Sequence, residues 1–334
     1  MIDNSHLLKG CRKFKEFLTG WFQKTKHLQS FPHSPLNPYF CFMKKLFFLA
    51  ALIIFQFSFS QQTDFLKIRK FRVAYLDDKI QETSGLSILN GKLYTFNDSG
   101  NAPEIFELDE TSGSIRNTFT INAKNKDWEA MTNDGKNFYI GDFGNNGGTR
   151  RDLEIYQLPF HNNEPQNDSI KKISFYYPEQ TEFIPQYTNN DFDAEAMIYL
   201  NGKLHLFTKE WKSKSSAHYI IDPATSEKQK AEKIESYKTN FVVTDAAYFD
   251  KKLYLVGYTK KTEVFLNVFK ENEPGIFFKE TPKHYYLGSA LAIGQIEGVA
   301  VNETGIYISG EKFKSRLGTA QPSLYFIPKE QLKD

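Results

Sequence analysis

The chain has 334 residues, 42 of them basic and 40 acidic, for a formal net charge of +2. The balance is uneven: residues 1–60 hold eight Lys and Arg against only Asp3 and Glu16, leaving 34 basic and 38 acidic groups in residues 61–334. A mildly acidic main region excludes the basic footprint of nucleic-acid binding. Both cysteines, Cys11 and Cys41, fall before it, so it has no disulfide, thiolate metal site or cysteine nucleophile.

Residues 1–42 are basic and lack periodicity. They read as an upstream extension ahead of a true start at Met43, the alternative being a disordered cytoplasmic tail. Met43-Lys44-Lys45 opens a short apolar run, Leu46 to Phe57, followed by Ser58-Phe59-Ser60. A positive start, a short apolar stretch and small residues at −3 and −1 predict a secretory signal over 43–60, cut after Ser60. The run is short for a membrane anchor. The expected location is periplasmic or secreted, with no integral membrane segment after cleavage.

Residues 61–334 read as one all-β domain. Phe65 to Leu76 is a strand of imperfect alternation. Ser84 to Leu89 and Lys92 to Phe96 flank Asn90-Gly91, a strong hairpin signal because both residues tolerate positive φ. Ile105 to Leu108 and Ile115 to Ile121 follow, giving four antiparallel strands, the size of one propeller blade. The pattern returns at Glu129-Ala130-Met131, Glu195-Ala196-Met197, Asp245-Ala246-Ala247 and Glu297-Gly298-Val299. The last copy runs out one strand short.

Positions 84, 129, 195, 245 and 297 are separated by 45, 66, 50 and 52 residues, with 37 remaining after 297. The fifth copy reaches full length only if Phe65 to Leu76 supplies its outer strand. The expectation is a five-bladed β-propeller of four-stranded antiparallel blades, closed by the N-terminal strand, with edges hidden. A six-bladed ring is the alternative, but the 66-residue interval is too short for two blades. Its polar stretch from Asn162 to Asp193 reads as a long loop.

Ser84-Gly85-Leu86, Asp127-Trp128-Glu129-Ala130, Ala194-Glu195-Ala196-Met197, Thr244-Asp245-Ala246-Ala247 and Ile296-Glu297-Gly298-Val299-Ala300 occur in this order. With Lys209-Glu210 and Gly310-Glu311, they resemble the SdiA-regulated (YjiK/CarP-like) propeller family over roughly residues 80–328. The resemblance implies a five-bladed propeller in the bacterial envelope, and part of that family is linked to calcium binding or homeostasis. The Gly/Asn-rich loop Gly141 to Gly148 departs from the family pattern, so no role is carried onto it.

The first position of each inner strand is expected at the channel mouth: Ser84, Glu129, Glu195, Asp245 and Glu297. Glu129, Glu195, Asp245 and Glu297 would converge as metal ligands. Close carboxylates cannot all ionise without compensation, and oxygen donors without His or Cys favour Ca²⁺. A second ring would hold Asp98, Asp142, Glu210 and Glu311, with Tyr258 in the fourth copy, and Lys209 and Lys312 as neutralising cations. Two other readings stay open: carboxylates bonding backbone amides or lysines between blades, and a proton-handling cluster. Trp128 could stack on a ligand or pack between blades. Arg150, after the Gly/Asn loop, could hold an anion, or the loop could be a plain turn.

None of His161, His205, His218 and His284 falls in an inner-strand motif, and no G-x-S-x-G, Walker A or dinucleotide fingerprint occurs. The expected function is an envelope propeller that binds a hard cation and presents a loop face to a ligand or envelope protein. The alternative is a calcium-dependent lactonase or esterase, with Asp245 as a base activating water.

Overall fold

A computed structural model describes residues 62–332. The extension over 1–42 and the signal over 43–60 lie outside the described residues. Among the described residues no helix is long and apolar enough to cross a membrane.

The repeated pattern folds as five antiparallel sheets arranged as the blades of a propeller. Blade one comprises Thr83–Leu89, Lys92–Asn97, Glu104–Leu108 and Ile115–Thr120. Blade two comprises Trp128–Asn133, Asn137–Asp142, Leu153–His161 and Lys171–Tyr176. Blade three has Ala194–Leu200, Lys203–Thr208, Ser216–Ile221 and Glu232–Tyr237. Blade four has Val242–Phe249, Lys252–Tyr258, Glu263–Lys270 and Lys283–Ser289. Blade five has Gln295–Val301, Gly305–Glu311 and Ser323–Pro328, completed by the N-terminal strand Arg72–Tyr75. The five inner strands are neighbours in sequence order, and the last touches the first. Five blades, not six, form the ring.

Each blade is buried on both faces. The apolar core therefore divides into five clusters, one per blade interface. Strand periodicity sends neighbours to opposite clusters. Phe138 and Ile140 pack toward blade one, while Tyr139 between them packs toward blade three. Leu204 and Leu206 face blade two, and Phe207 faces blade four. Burial on both faces explains why the strands read as nearly continuous apolar runs.

The N-terminal segment differs from the single expected strand. Thr63–Phe65 pairs in parallel with the outer strand of blade four, a 3₁₀ turn follows over Ile68–Phe71, and Arg72–Tyr75 then enters blade five. It covers two exposed edges. Gln229–Lys230 does the same for the outer strand of blade two. Within the stretch from Asn162 to Asp193, Lys171–Tyr176 forms that outer strand, one residue earlier than the strand the sequence suggests over Lys172 to Tyr177, and the rest is largely loop. The outer strand of blade three, Glu232–Tyr237, escapes an apolar search because most of its side chains are charged or polar and none is fully buried.

Candidate metal centre

Every inner strand carries a β-bulge at its first turn. Register slips between Ser84 and Leu86, Trp128 and Ala130, Ala194 and Ala196, Val243 and Asp245, and Ile296 and Gly298. The bulged residues are thus Gly85, Glu129, Glu195, Thr244 and Glu297. A bulge re-aims its side chain out of the strand alternation. Glu129, Glu195 and Glu297 are re-aimed in this way and stay buried at the channel. In blades one and four the structure aligns Gly85 and Thr244 with them, rather than Ser84 and Asp245.

Carboxylate oxygens of Asp98, Asp127 and Glu129 lie within 4.8 Å of one another. Asp98 follows the second strand of blade one, where Ser99 N–H donates to the Asp98 side chain and the Asp98 backbone N–H bonds Glu82 O at 3.0 Å. Asp127 directly precedes the inner strand of blade two. Its N–H donates to Asp142 Oδ1 at 3.2 Å, and its carbonyl accepts from Gly144 N–H at 3.2 Å. That bond brings the Gly144 backbone against the acidic pair: a Cβ there would lie 2.4 Å from Asp127 Oδ2 and from Glu129 Oε1. Glycine is what permits the approach.

Around this trio the ring continues with one buried ammonium. Lys209 Nζ donates to Glu195 Oε1, and both side chains are nearly inaccessible. Asp193 accepts from Asn145 N–H at 2.6 Å. Asp193 Oδ2 and Glu195 Oε2 are buried without a hydrogen-bond partner. Glu297 accepts from Gln295 Nε2 at 2.6 Å and from the Tyr258 hydroxyl.

Burial and mutual repulsion raise the pKa values of the acids. Asp127 is pushed up to about 6 by burial and by Asp98. Burial lifts Asp193 to about 7 against the pull of Lys209. Glu311 is pushed up to about 9 by burial, Glu297 and Asp98. Asp98 is raised mainly by burial. Glu129 is raised well above the carboxylate range by burial, then by Glu195, Asp98 and Asp127. Glu195 and Glu297 are raised chiefly by burial as well. Burial works against the Lys209 charge, but Glu195, Tyr258 and Glu297 outweigh it and hold the ammonium protonated.

Several expected site residues are engaged elsewhere. Asp245 spans the channel: its Oδ2 accepts from Val299 N–H at 2.7 Å and Leu86 N–H at 3.3 Å, linking blade four to blades five and one. That is the inter-blade amide bonding left open by the sequence. Asp142 accepts from Arg150 Nη2 at 2.9 Å, and Arg150 also donates to Gly144 O at 3.0 Å, so the guanidinium closes its own loop. Glu210 accepts from Thr208 Oγ1 at 3.0 Å and from Ser213; its neighbour Lys209 is the one that enters the ring. Trp128 is fully buried, donates from Nε1 to Lys124 O at 2.9 Å, and meets Phe96 edge-on, so it packs between blades. Ser84 donates to Glu129 O at 3.3 Å, and Lys312 to Gln81 Oε1 at 3.1 Å.

Asp127 and Asp193 as members of the acid ring are the additions. The signal was present: Asp-x-Glu-Ala-Met occurs twice, at Asp127–Met131 and Asp193–Met197. Both aspartates therefore stand two residues before a bulged glutamate.

The donor set fits a hard cation. Oxygens on opposite sides of a Ca²⁺ ion, each ~2.4 Å from it, are about 5 Å apart. The Asp98, Asp127 and Glu129 oxygens fall within that span, and no His or Cys is among them.

These features define a five-bladed β-propeller with an acid-lined channel mouth. No protein-family model matches the chain, and no curated protein matches it. Among solved structures, it is similar to a Thermus thermophilus protein described as an oxidoreductase (glucose dehydrogenase). Identity is 11% over 77% of this chain and 98% of that one, with a TM-score of 0.43. It is also similar to a Bacteroides fragilis protein assigned as a 6-phosphogluconolactonase, at 12% identity over 75% and 88% of the two chains, with a TM-score of 0.39. At these scores the likenesses carry no statement about activity.

Proposed function

We propose that the protein binds a hard divalent cation, calcium fitting best, at Asp98, Asp127 and Glu129, and serves as a binding or scaffold propeller of the cell envelope. The observation that carries the reading is the approach of three carboxylates to within 4.8 Å, in a ring whose one buried ammonium is already committed to Glu195. Uncompensated negative charge at that density is relieved by a cation or by protons. The remaining ligands would be backbone carbonyls and water, as is usual for calcium. The resemblance to the SdiA-regulated propellers and the signal-like sequence pattern over Met43–Ser60 support the calcium and the envelope location.

Isothermal titration of chelator-treated protein with calcium tests it. The expected result is saturable binding, weakened at least tenfold by Glu129→Gln and by Asp98→Asn. No heat and no thermal shift at millimolar calcium would remove the reading.

A calcium-dependent lactone or ester hydrolase is the second reading, favoured by Glu311. Its carboxyl, raised to about 9, would be protonated at neutral pH and able to donate a proton to a leaving group. Calcium-dependent turnover in a lactone and aryl-ester panel, abolished by Glu129→Gln and by Glu297→Gln, would establish it over the first.

A further inference from the structure

Away from the acid ring, blades four and five enclose a cleft of about 480 Å³. Its wall follows from strand register. Lys252 pairs with Lys270, Tyr254 with Val268, and Val268 with Lys283. Alternation then puts Lys252, Tyr254, Val268, Lys270, Lys283 and Tyr285 on one face of blade four. Blade five contributes Lys329 and Leu332 across the gap.

Two features of this face call for a ligand. First, it concentrates positive charge. Four lysines line the cleft, and Glu280 is the one acidic residue among the lining groups. Lys252 and Lys270 stand directly opposite each other on adjacent strands, an arrangement that destabilises a sheet when the charges are alike. Second, the interior of the cleft is apolar and aromatic. Tyr254 and Tyr285 are buried members of the core between blades four and five, and Val268 and Leu332 pack against it. Lysine stems lie readily along such a surface while their ammonium groups reach the rim. A bare surface patch of lysines would have no such floor.

We propose that this cleft binds a small amphipathic anion: a carboxylate held by Lys252, Lys270 and Lys329, with an aryl or alkyl body against the partly buried Val268 and Leu332. The volume suits a small ligand, since such pockets run from about 300 to 1,000 Å³. The site shares no residue with the Asp98, Asp127 and Glu129 cluster, so it stands or falls independently of the cation.

Calorimetric titration with three probes tests the two halves of the recognition: 2-naphthoate, its uncharged counterpart 2-naphthamide, and acetate. Saturable naphthoate binding is expected, weakened by added salt because the cleft is open to solvent. Naphthamide and acetate should each bind at least tenfold more weakly. The Lys252→Gln/Lys270→Gln double variant should bind naphthoate at least tenfold more weakly while melting no lower than the parent and keeping its calcium titration. No saturable naphthoate binding at millimolar concentration would overturn the proposal, as would binding unchanged in the double variant. Naphthamide binding as tightly as naphthoate would overturn the anion requirement, and acetate binding as tightly would overturn the apolar one.

Discussion

The surroundings of Glu129 oppose its ionisation: burial first, then Glu195, Asp98 and Asp127. The same forces give the metal-free protein a defined pH response. Asp127 is raised from an ordinary 3.8 to about 6, and Asp193 from 3.8 to about 7. An acid whose folded pKa exceeds its unfolded one binds protons more tightly when folded. The stabilisation by protonation is fully present below about pH 4 and is lost as pH rises through the folded values. Between about pH 4.5 and 8 these two groups should therefore make the chelator-treated protein melt progressively lower, by on the order of 5 °C. Calcium competes with protons for the same oxygens, so the gain in melting temperature on adding calcium should grow over the same interval. Thermal melts with chelator and with calcium across that range measure both. A calcium effect equal at both ends of the range would contradict the assignment of Asp127 to the ion.

The inner strand is the element that turns sequence into site, and its bulge marks where sequence reading stops. Five apolar runs, the Asn90-Gly91 turn and the spacing of the copies made the blades legible. Side-chain direction at the strand start was not legible, because period-two alternation fails at a bulge. Hence Asp245 reads as the partner of Glu129, although Thr244 occupies that position and Asp245 bonds amides instead. Likewise Glu210 reads as a channel acid, although it bonds Thr208 and Ser213, while Lys209 beside it, read as a neutralising cation, meets Glu195. Asp127 and Asp193 lie just before the strands, where no periodic pattern reaches. The Lys209–Glu195 pair gives this element a thermodynamic test. Lys209→Met leaves a buried glutamate among other acids, and breaking one side of such a pair costs about 3–5 kcal/mol. Denaturant unfolding should show that loss in mildly alkaline buffer and a smaller one in mildly acidic buffer, where Glu195 can take up a proton. The double variant Glu195→Gln/Lys209→Met should recover most of it. Additive single effects would mean the two groups act separately.

Across the whole molecule, stability depends on closing the ring. No blade has a core of its own; each of the five clusters is shared between neighbours. Blade five is joined to the rest by chain only on its blade-four side and at its outer edge. There Arg72, Ala74 and Tyr75 pair with Tyr325, Leu324 and Ser323. The same segment inserts the buried side chains of Leu66, Ile68, Leu76 and Ile80 into the clusters on both sides of blade five. Burying one such side chain contributes about 1.5–3 kcal/mol, so the segment's share is comparable to the ~5–15 kcal/mol that holds a typical domain folded. It also masks the strand edge of Ser323–Pro328, which would otherwise be free to pair with another chain. A form beginning at Asp77 should therefore lose its cooperative melt and elute as aggregate. Adding a peptide of residues 62–76 should restore a monodisperse species in proportion to peptide concentration, because the peptide supplies the missing strand without altering the other blades. Calorimetry and size-exclusion chromatography distinguish the outcomes. A truncated chain that stays monomeric with an unchanged melting temperature would mean that the first and fifth blades hold together through their inner strands alone.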